Sequence, residues 1–188
     1  MNIIDRAALG IAQSIRRNYP EAPSEVALKY SLSLLINTLS AITVSMGVCI
    51  ATGHWKQGAI VVFFFLFMRY FSGGVHLRSS LTCSLTSAGI VIVLAHLQFN
   101  YWYLGFLCSL AAFMIYAIKA PDGIEKVSRV DPRYYPLLKA ICLAVVALNM
   151  LVFQSSLLSA VFLTQALTLT NQAYTFIHYL ERRKTNES

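Results

Sequence analysis

His76 and Cys83 lie in the segment of the chain that is richest in side chains able to do covalent chemistry. The segment reads Arg69-Tyr-Phe-Ser-Gly-Gly-Val-His76-Leu-Arg-Ser-Ser-Leu-Thr-Cys83. A cysteine thiolate attacks carbonyl carbon, and a neighbouring imidazole serves as the base that takes the thiol proton. The residue types therefore predict a nucleophilic cysteine and its general base.

The glycines and serines of this segment predict that two helices meet there. Gly73 and Gly74 allow backbone angles that other residues avoid, so the chain can reverse at the end of one helix. Ser79 or Ser80 is expected to cap the start of the next helix, which puts Cys83 in or near its first turn. A helix amino terminus stabilises a thiolate, which is the environment that a nucleophilic cysteine needs.

The spacing of His76 and Cys83 requires a bend between them. On one continuous helix their separation would be a rise of roughly 10.5 Å, whereas a thiolate and an imidazolium need their heavy atoms at about 3 Å. His76 is therefore expected on a loop or reversed turn that folds back over Cys83, with Arg78 nearby to favour the thiolate. The group that orients His76 stays open between Ser72, Ser79, Asp122 and a backbone carbonyl.

The apolar composition predicts the elements that must position these residues. Of the 188 residues, 57% are hydrophobic and 12% charged, and the apolar residues form long uncharged runs that a soluble core would break up. The predicted fold class is an all-α integral membrane protein with six transmembrane helices, in one membrane domain over 1–188. The spans are predicted at about 30–52, 55–71, 81–97, 101–118, 137–153 and 156–179.

The first 29 residues predict an amphipathic helix that lies on the cytoplasmic membrane surface. Apolar residues recur there at helical spacing, and Arg6, Arg16 and Arg17 lie mostly on other parts of the helix. The segment 1–29 has no continuous apolar core of the kind found in a cleavable signal peptide. It is therefore expected to stay in the mature protein.

The basic residues predict which side of the bilayer each loop occupies. With six spans, every Lys and Arg except Lys56 falls in the terminal segments, or in or next to the second and fourth loops. Positively charged loops stay in the cytoplasm, so both termini are predicted to be cytoplasmic. The same residues form no continuous basic stripe, which argues against a nucleic-acid partner.

The other cysteines and the carboxylates argue against several chemistries. Cys49, Cys108 and Cys142 are isolated in apolar runs and predict small core residues, without a disulfide framework or a zinc site. The chain lacks the HExxH motif of metalloproteases. Asp122 and Asp131 are too badly spaced for the metal pair of a lipid phosphotransferase. No metal or other cofactor is therefore expected.

Two polar stripes inside the spans leave an alternative function open. Their members are Ser33, Asn37 and Ser40 in the first span, and Gln165, Thr168, Gln172 and Thr175 in the last. Such stripes are typical of contacts between helices or subunits, and alternatively they line a polar cavity. A cavity would favour a small membrane transporter or peptide exporter, although no inverted repeat is evident. A purely structural membrane protein is a further alternative.

The segment that contains His76 and Cys83 resembles the signature of the AgrB family, the membrane endopeptidases of accessory gene regulator quorum sensing. The shared pattern is an arginine, then Gly-Gly-x-His, six residues and a cysteine. The six predicted spans, the basic amino-terminal segment and the stretch from Tyr116 to Pro121 are similar too. By this resemblance Cys83 is the nucleophile and His76 its general base, and Arg69 and Gly74 match the motif.

The resemblance also implies a substrate and an assembly. The substrate would be an AgrD-like precursor peptide with an amphipathic amino-terminal helix and an acidic carboxy-terminal tail. A homodimer in the bacterial cell membrane would cleave the tail and, through a thioester, promote cyclisation to a thiolactone or lactone. The family often continues after Ala-Pro toward Asn-Lys-Pro or a lysine run, whereas here the nearest basic residues that would position the substrate are Lys126 and Arg129.

Overall fold

The computed structural model describes residues 3–75, 79–123 and 130–175, which are helical apart from the connections between helices. The first four helices are α1 (Ile3–Asn18), α2 (Glu25–Ala51), α3 (Trp55–Ser72) and α4 (Ser80–His96). The next three are α5 (Phe106–Lys119), α6 (Tyr135–Leu148) and α7 (Ser156–Leu167). The predicted all-α class is therefore confirmed for the described part of the chain.

Three of the described helical stretches are long and apolar enough to cross a bilayer, namely Glu25–Ala51, Tyr101–Lys119 and Pro132–Phe153. The second consists of a π-helical turn followed by α5, and the third consists of α6 with a short helical turn at each end. α4 and α7 are apolar but shorter. The full count of six crossings stays a prediction. Within the last predicted span, 156–179, α7 ends at Leu167, non-helical residues follow at 168–170, and the chain is helical again at 171–175.

The chain divides into two compact units, of which the first comprises Met1–Gly53 and His76–Ile92. In this unit α1 packs against α2. Ala8 and Ala12, one turn apart on α1, are fully buried, because small side chains let two helices approach closely. Arg16 closes the connection between these helices by donating to the carbonyl oxygens of Ala22 and Pro23 at 3.1 and 3.0 Å.

The second unit comprises His54–Val75 and Val93–Ser188. In this unit α7 packs against α3 and α5, and most of its residues are at least half-buried. The Tyr116 hydroxyl on α5 donates to the Phe162 carbonyl oxygen on α7 at 3.1 Å. Asn149, fully buried after α6, donates to the hydroxyls of Ser109 and Ser159 at 3.3 and 3.1 Å. Hydrogen bonds of buried polar side chains thus join α5 and α7 to the end of α6.

Candidate functional site

The first turn of α4 carries Cys83. α4 begins at Ser80, and the Cys83 backbone N–H donates to the Ser79 carbonyl oxygen at 3.0 Å, which opens the helix. The first backbone N–H groups of a helix have no partner within it, and their partial positive charge favours a thiolate. The Cys83 side chain is half-buried. The predicted position of this cysteine within α4 is therefore confirmed.

Two hydrogen bonds connect this turn to α1 and α2. Ser80 Oγ donates to Asp5 Oδ1 at 2.8 Å, and Ser84 Oγ donates to the Asn37 carbonyl oxygen at 3.3 Å. The residues on either side of Cys83 thus fix the start of α4 to both neighbouring helices. Asp5 was not predicted from the sequence, because an acid in the first turn of a helix signals little beyond a favourable helix dipole.

The other cysteines differ from Cys83 in their surroundings. Cys49 and Cys142 are fully buried in α2 and α6. Cys108 is half-buried near the start of α5, but a π-helical turn over Tyr101–Gly105 precedes α5, so this cysteine lies inside the apolar stretch Tyr101–Lys119 and not at its start. Within the residues that the structure describes, no three His, Cys, Asp or Glu side chains form a group that could hold a metal ion. Cys83 thus combines partial exposure with a position at a helix start.

The predicted general base lies outside the described residues. His76 and Arg78 fall in 76–78, and Lys126 and Arg129 fall in 124–129. Their roles, and the predicted return of His76 over the cysteine, stay predictions. The described chain reaches Val75, the residue immediately before His76. The structure therefore shows how the chain that leads to the histidine is held.

Residues Gly73 to Val75, here named the double-glycine turn, follow α3. Gly73 has a φ of 75° and Gly74 a φ of 123°, so both glycines adopt backbone angles of the kind that they were predicted to allow. The Gly73 N–H donates to the Arg69 carbonyl oxygen at 2.9 Å and closes α3. A Cβ on Gly74 would lie 2.5 Å from Thr168 Oγ1. Gly74 is thus required by both its backbone angle and the space around it.

Asp122, in the connection after α5, pairs with the double-glycine turn. The Gly74 N–H donates to the Asp122 carbonyl oxygen at 2.9 Å, and the Asp122 N–H donates to the Ser72 carbonyl oxygen at 3.0 Å. The two strands of chain form a short parallel bridge. The Tyr174 hydroxyl lies beside this pairing, since a Cβ built on Gly123 would meet it at 3.2 Å. Asp122, one of the candidates for orienting the histidine, therefore also fastens the turn.

Arg69 supports the far end of the double-glycine turn. Its guanidinium donates to the Val75 carbonyl oxygen. The Val75 N–H donates to the Thr168 carbonyl oxygen at 3.2 Å. The backbone of Val75 is thus held from α3 and from the end of α7. Arg69, predicted as a supporting residue, contacts the residue that precedes His76 in the sequence.

The polar stripe predicted in the last span divides into two parts. Gln165 Nε2 donates to the Gly73 carbonyl oxygen at 2.8 Å, and Thr168 lies against the same turn. Gln172 and Thr175 instead line a groove of about 820 Å³ beside the end of α5. Contact between elements, one of the two predicted roles, therefore applies to Gln165 and Thr168. Neither was predicted as a site residue, because a polar face does not reveal its partner.

Most of the chain matches the model of a known protein family. A family model described as Accessory gene regulator B matches residues 8–177. No curated protein and no solved structure matches the chain. The matched range includes the double-glycine turn, Cys83 and Gln165.

Proposed function

This chain belongs to the AgrB family, and from that premise we propose that it is a membrane cysteine endopeptidase acting on an AgrD-like precursor in quorum sensing. The observation that carries the proposal is the position of Cys83, half-buried in the first turn of α4. Cys49 and Cys142 are fully buried and are less suited to attack a substrate. The catalytic roles of Cys83 and His76 belong to this proposal.

In the proposed reaction the Cys83 thiol gives its proton to His76, and the thiolate attacks the carbonyl carbon before the acidic tail. The peptide C–N bond breaks, His76 returns the proton to the leaving amine, and the precursor stays on Cys83 as a thioester. A cysteine or serine side chain of the precursor then attacks the thioester carbonyl and gives its proton back to the Cys83 sulfur. A thiolactone or lactone forms. Cyclisation outruns hydrolysis because the internal nucleophile has a high effective concentration and the site excludes water.

The remaining motif residues support this chemistry in two ways. Arg69, Gly73 and Gly74 fix the chain that leads to the histidine, as their hydrogen bonds and backbone angles indicate. Ser79 and Ser80 lie at the start of the helix that carries the nucleophile. Attraction of the acidic tail by opposite charge is assigned to Arg78, Lys126 and Arg129.

The proposed reaction takes place at a lipid bilayer. The apolar helices and the family both indicate a membrane protein, and α5 exposes large apolar side chains such as Leu107 and Met114. Side chains of this kind are expected to face lipid. The distribution of Lys and Arg supports a multi-pass orientation with cytoplasmic termini in a bacterial cell membrane. A homodimer is part of the proposal on the strength of the family.

Co-expression tests the proposed activity. The chain is expressed with a candidate precursor, chosen as a short open reading frame with an acidic end beside its gene, and the peptides are followed by mass spectrometry. Cys83→Ala should abolish tail release, because no other sulfur lies at the start of α4. Cys108→Ala, the half-buried control, should leave release intact. Release at the wild-type level in Cys83→Ala would discard the peptidase proposal. A transporter would instead show flux that is independent of the precursor and insensitive to Cys83.

A further inference from the structure

Gln165 is a fully buried polar residue of α7 that contacts the end of α3. Its Nε2 donates to the Gly73 carbonyl oxygen at 2.8 Å and to Ser72 Oγ at 3.3 Å. The Nε2 group of Gln165 therefore donates both to the double-glycine turn and to Ser72, the residue before it. A buried amide is costly unless it is hydrogen-bonded, so these contacts fix the Gln165 side chain.

Stability alone does not explain a glutamine at this position. Gln165 Oε1 is buried and has no hydrogen-bond partner among residues 3–75, 79–123 and 130–175. A buried acceptor without a partner lowers stability, which offsets part of what the two hydrogen bonds donated by Nε2 contribute. The glutamine therefore serves the geometry of the turn that it contacts.

Thr168, three residues after Gln165, also contacts the double-glycine turn. Its carbonyl oxygen accepts a hydrogen bond from the Val75 N–H at 3.2 Å, and its Oγ1 donates to the Gln165 carbonyl oxygen at 2.7 Å. A Cβ on Gly74 would lie 2.5 Å from this Oγ1 and 3.5 Å from Gln165 Nε2. The end of α7 thus contacts the double-glycine turn at both Gly74 and Val75.

We propose that Gln165 is a positioning residue of the peptidase, which holds the double-glycine turn through its hydrogen bond to Gly73. The inference rests on the proposed function, in which the chain continues from Val75 directly to the general base His76. A catalytic group displaced by about 1 Å lowers the rate by about a hundredfold. Binding of the precursor is assigned to other residues. Loss of the Gln165 hydrogen bond should therefore lower kcat and leave KM nearly unchanged.

Kinetics of the purified full-length protein in lipid nanodiscs test this inference, with the precursor that the wild-type protein cleaves. Gln165→Leu removes the donor, and Gln165→Met is a second variant with a side chain as long and flexible as glutamine. For both, kcat per folded molecule should fall about 10- to 100-fold, with KM within about twofold of the wild-type value.

Ser159→Ala is the matched control. Ser159 is another fully buried polar residue of α7. Its hydroxyl accepts a hydrogen bond from Ser109 Oγ and donates one to the Ser155 carbonyl oxygen, and neither partner belongs to the double-glycine turn. Its kcat per folded molecule should stay within about threefold of the wild-type value even where its thermal midpoint falls.

Three outcomes separate the inference from the function on which it rests. A kcat within about threefold of wild type in both Gln165 variants would overturn the inference. An equal loss of kcat in Ser159→Ala at the same thermal midpoint would also overturn it, since a purely structural role would affect both positions alike. Tail release that survives Cys83→Ala would instead reject the peptidase proposal itself.

Discussion

Replacing Gly74 by alanine adds one methyl group to an enclosed position of the double-glycine turn. The φ of 123° at Gly74 is one that L-residues rarely adopt. The new Cβ would lie 2.5 Å from Thr168 Oγ1, and 3.4 Å from an Arg69 guanidinium nitrogen. Thr168 cannot rotate away without cost, because its Oγ1 donates to the Gln165 carbonyl oxygen at 2.7 Å.

Two costs contribute to the expected destabilisation by Gly74→Ala. The strain of an unfavourable φ costs about 1–3 kcal/mol, and forcing a methyl group into filled space costs about 1–3 kcal/mol. Together they should lower the free energy of unfolding by about 2–6 kcal/mol, a large part of the stability of a typical folded domain. The double variant Gly74→Ala with Thr168→Ala removes the clash and should recover about 1–3 kcal/mol relative to the sum of the single changes.

Unfolding of the purified protein in detergent, followed by circular dichroism, measures this loss. Gly47→Ala in α2 is the control, because a Cβ there meets nothing within 4 Å. That substitution should be neutral or stabilise the helix by about 0.5–1 kcal/mol. A Gly74→Ala variant as stable as wild type, or a double variant with no recovery, would refute the reasoning about φ and space at this position.

Two further predictions concern the buried network and the orientation. Asn149→Leu should lower the free energy of unfolding by about 1–3 kcal/mol, because the Ser155 N–H loses its Asn149 Oδ1 acceptor and the hydroxyls of Ser109 and Ser159 each lose one donor; an unchanged midpoint in thermal unfolding would contradict this. A cysteine introduced at Ser128 should resist an impermeant maleimide added to intact cells and react after permeabilisation, because its loop is proposed to be cytoplasmic. Efficient labelling of intact cells would overturn the orientation.

Most helix positions follow from the sequence because an apolar run and its polar ends are local properties. The second span was predicted at 55–71 and α3 is Trp55–Ser72, while the third was predicted at 81–97 and α4 is Ser80–His96. Within the last predicted span the helix is interrupted after Leu167, and apolar composition does not show where the backbone leaves the helix. Thr168 and Thr170 donate to carbonyl oxygens three residues earlier, a local alternative to continued helix.

In the candidate site, too, some features depend on short stretches of sequence, and others depend on contacts between residues far apart in the chain. The sequence by itself determined that glycines permit the turn after α3 and that Cys83 lies in the first turn of the next helix, since short stretches of chain decide both. Only the tertiary structure decided that Gln165 holds Gly73 from 92 residues away, and that Asp5 holds Ser80 from 75 residues away. These partners meet because of how the helices pack, and packing depends on surfaces assembled from distant parts of the chain, which no local pattern of residue types records.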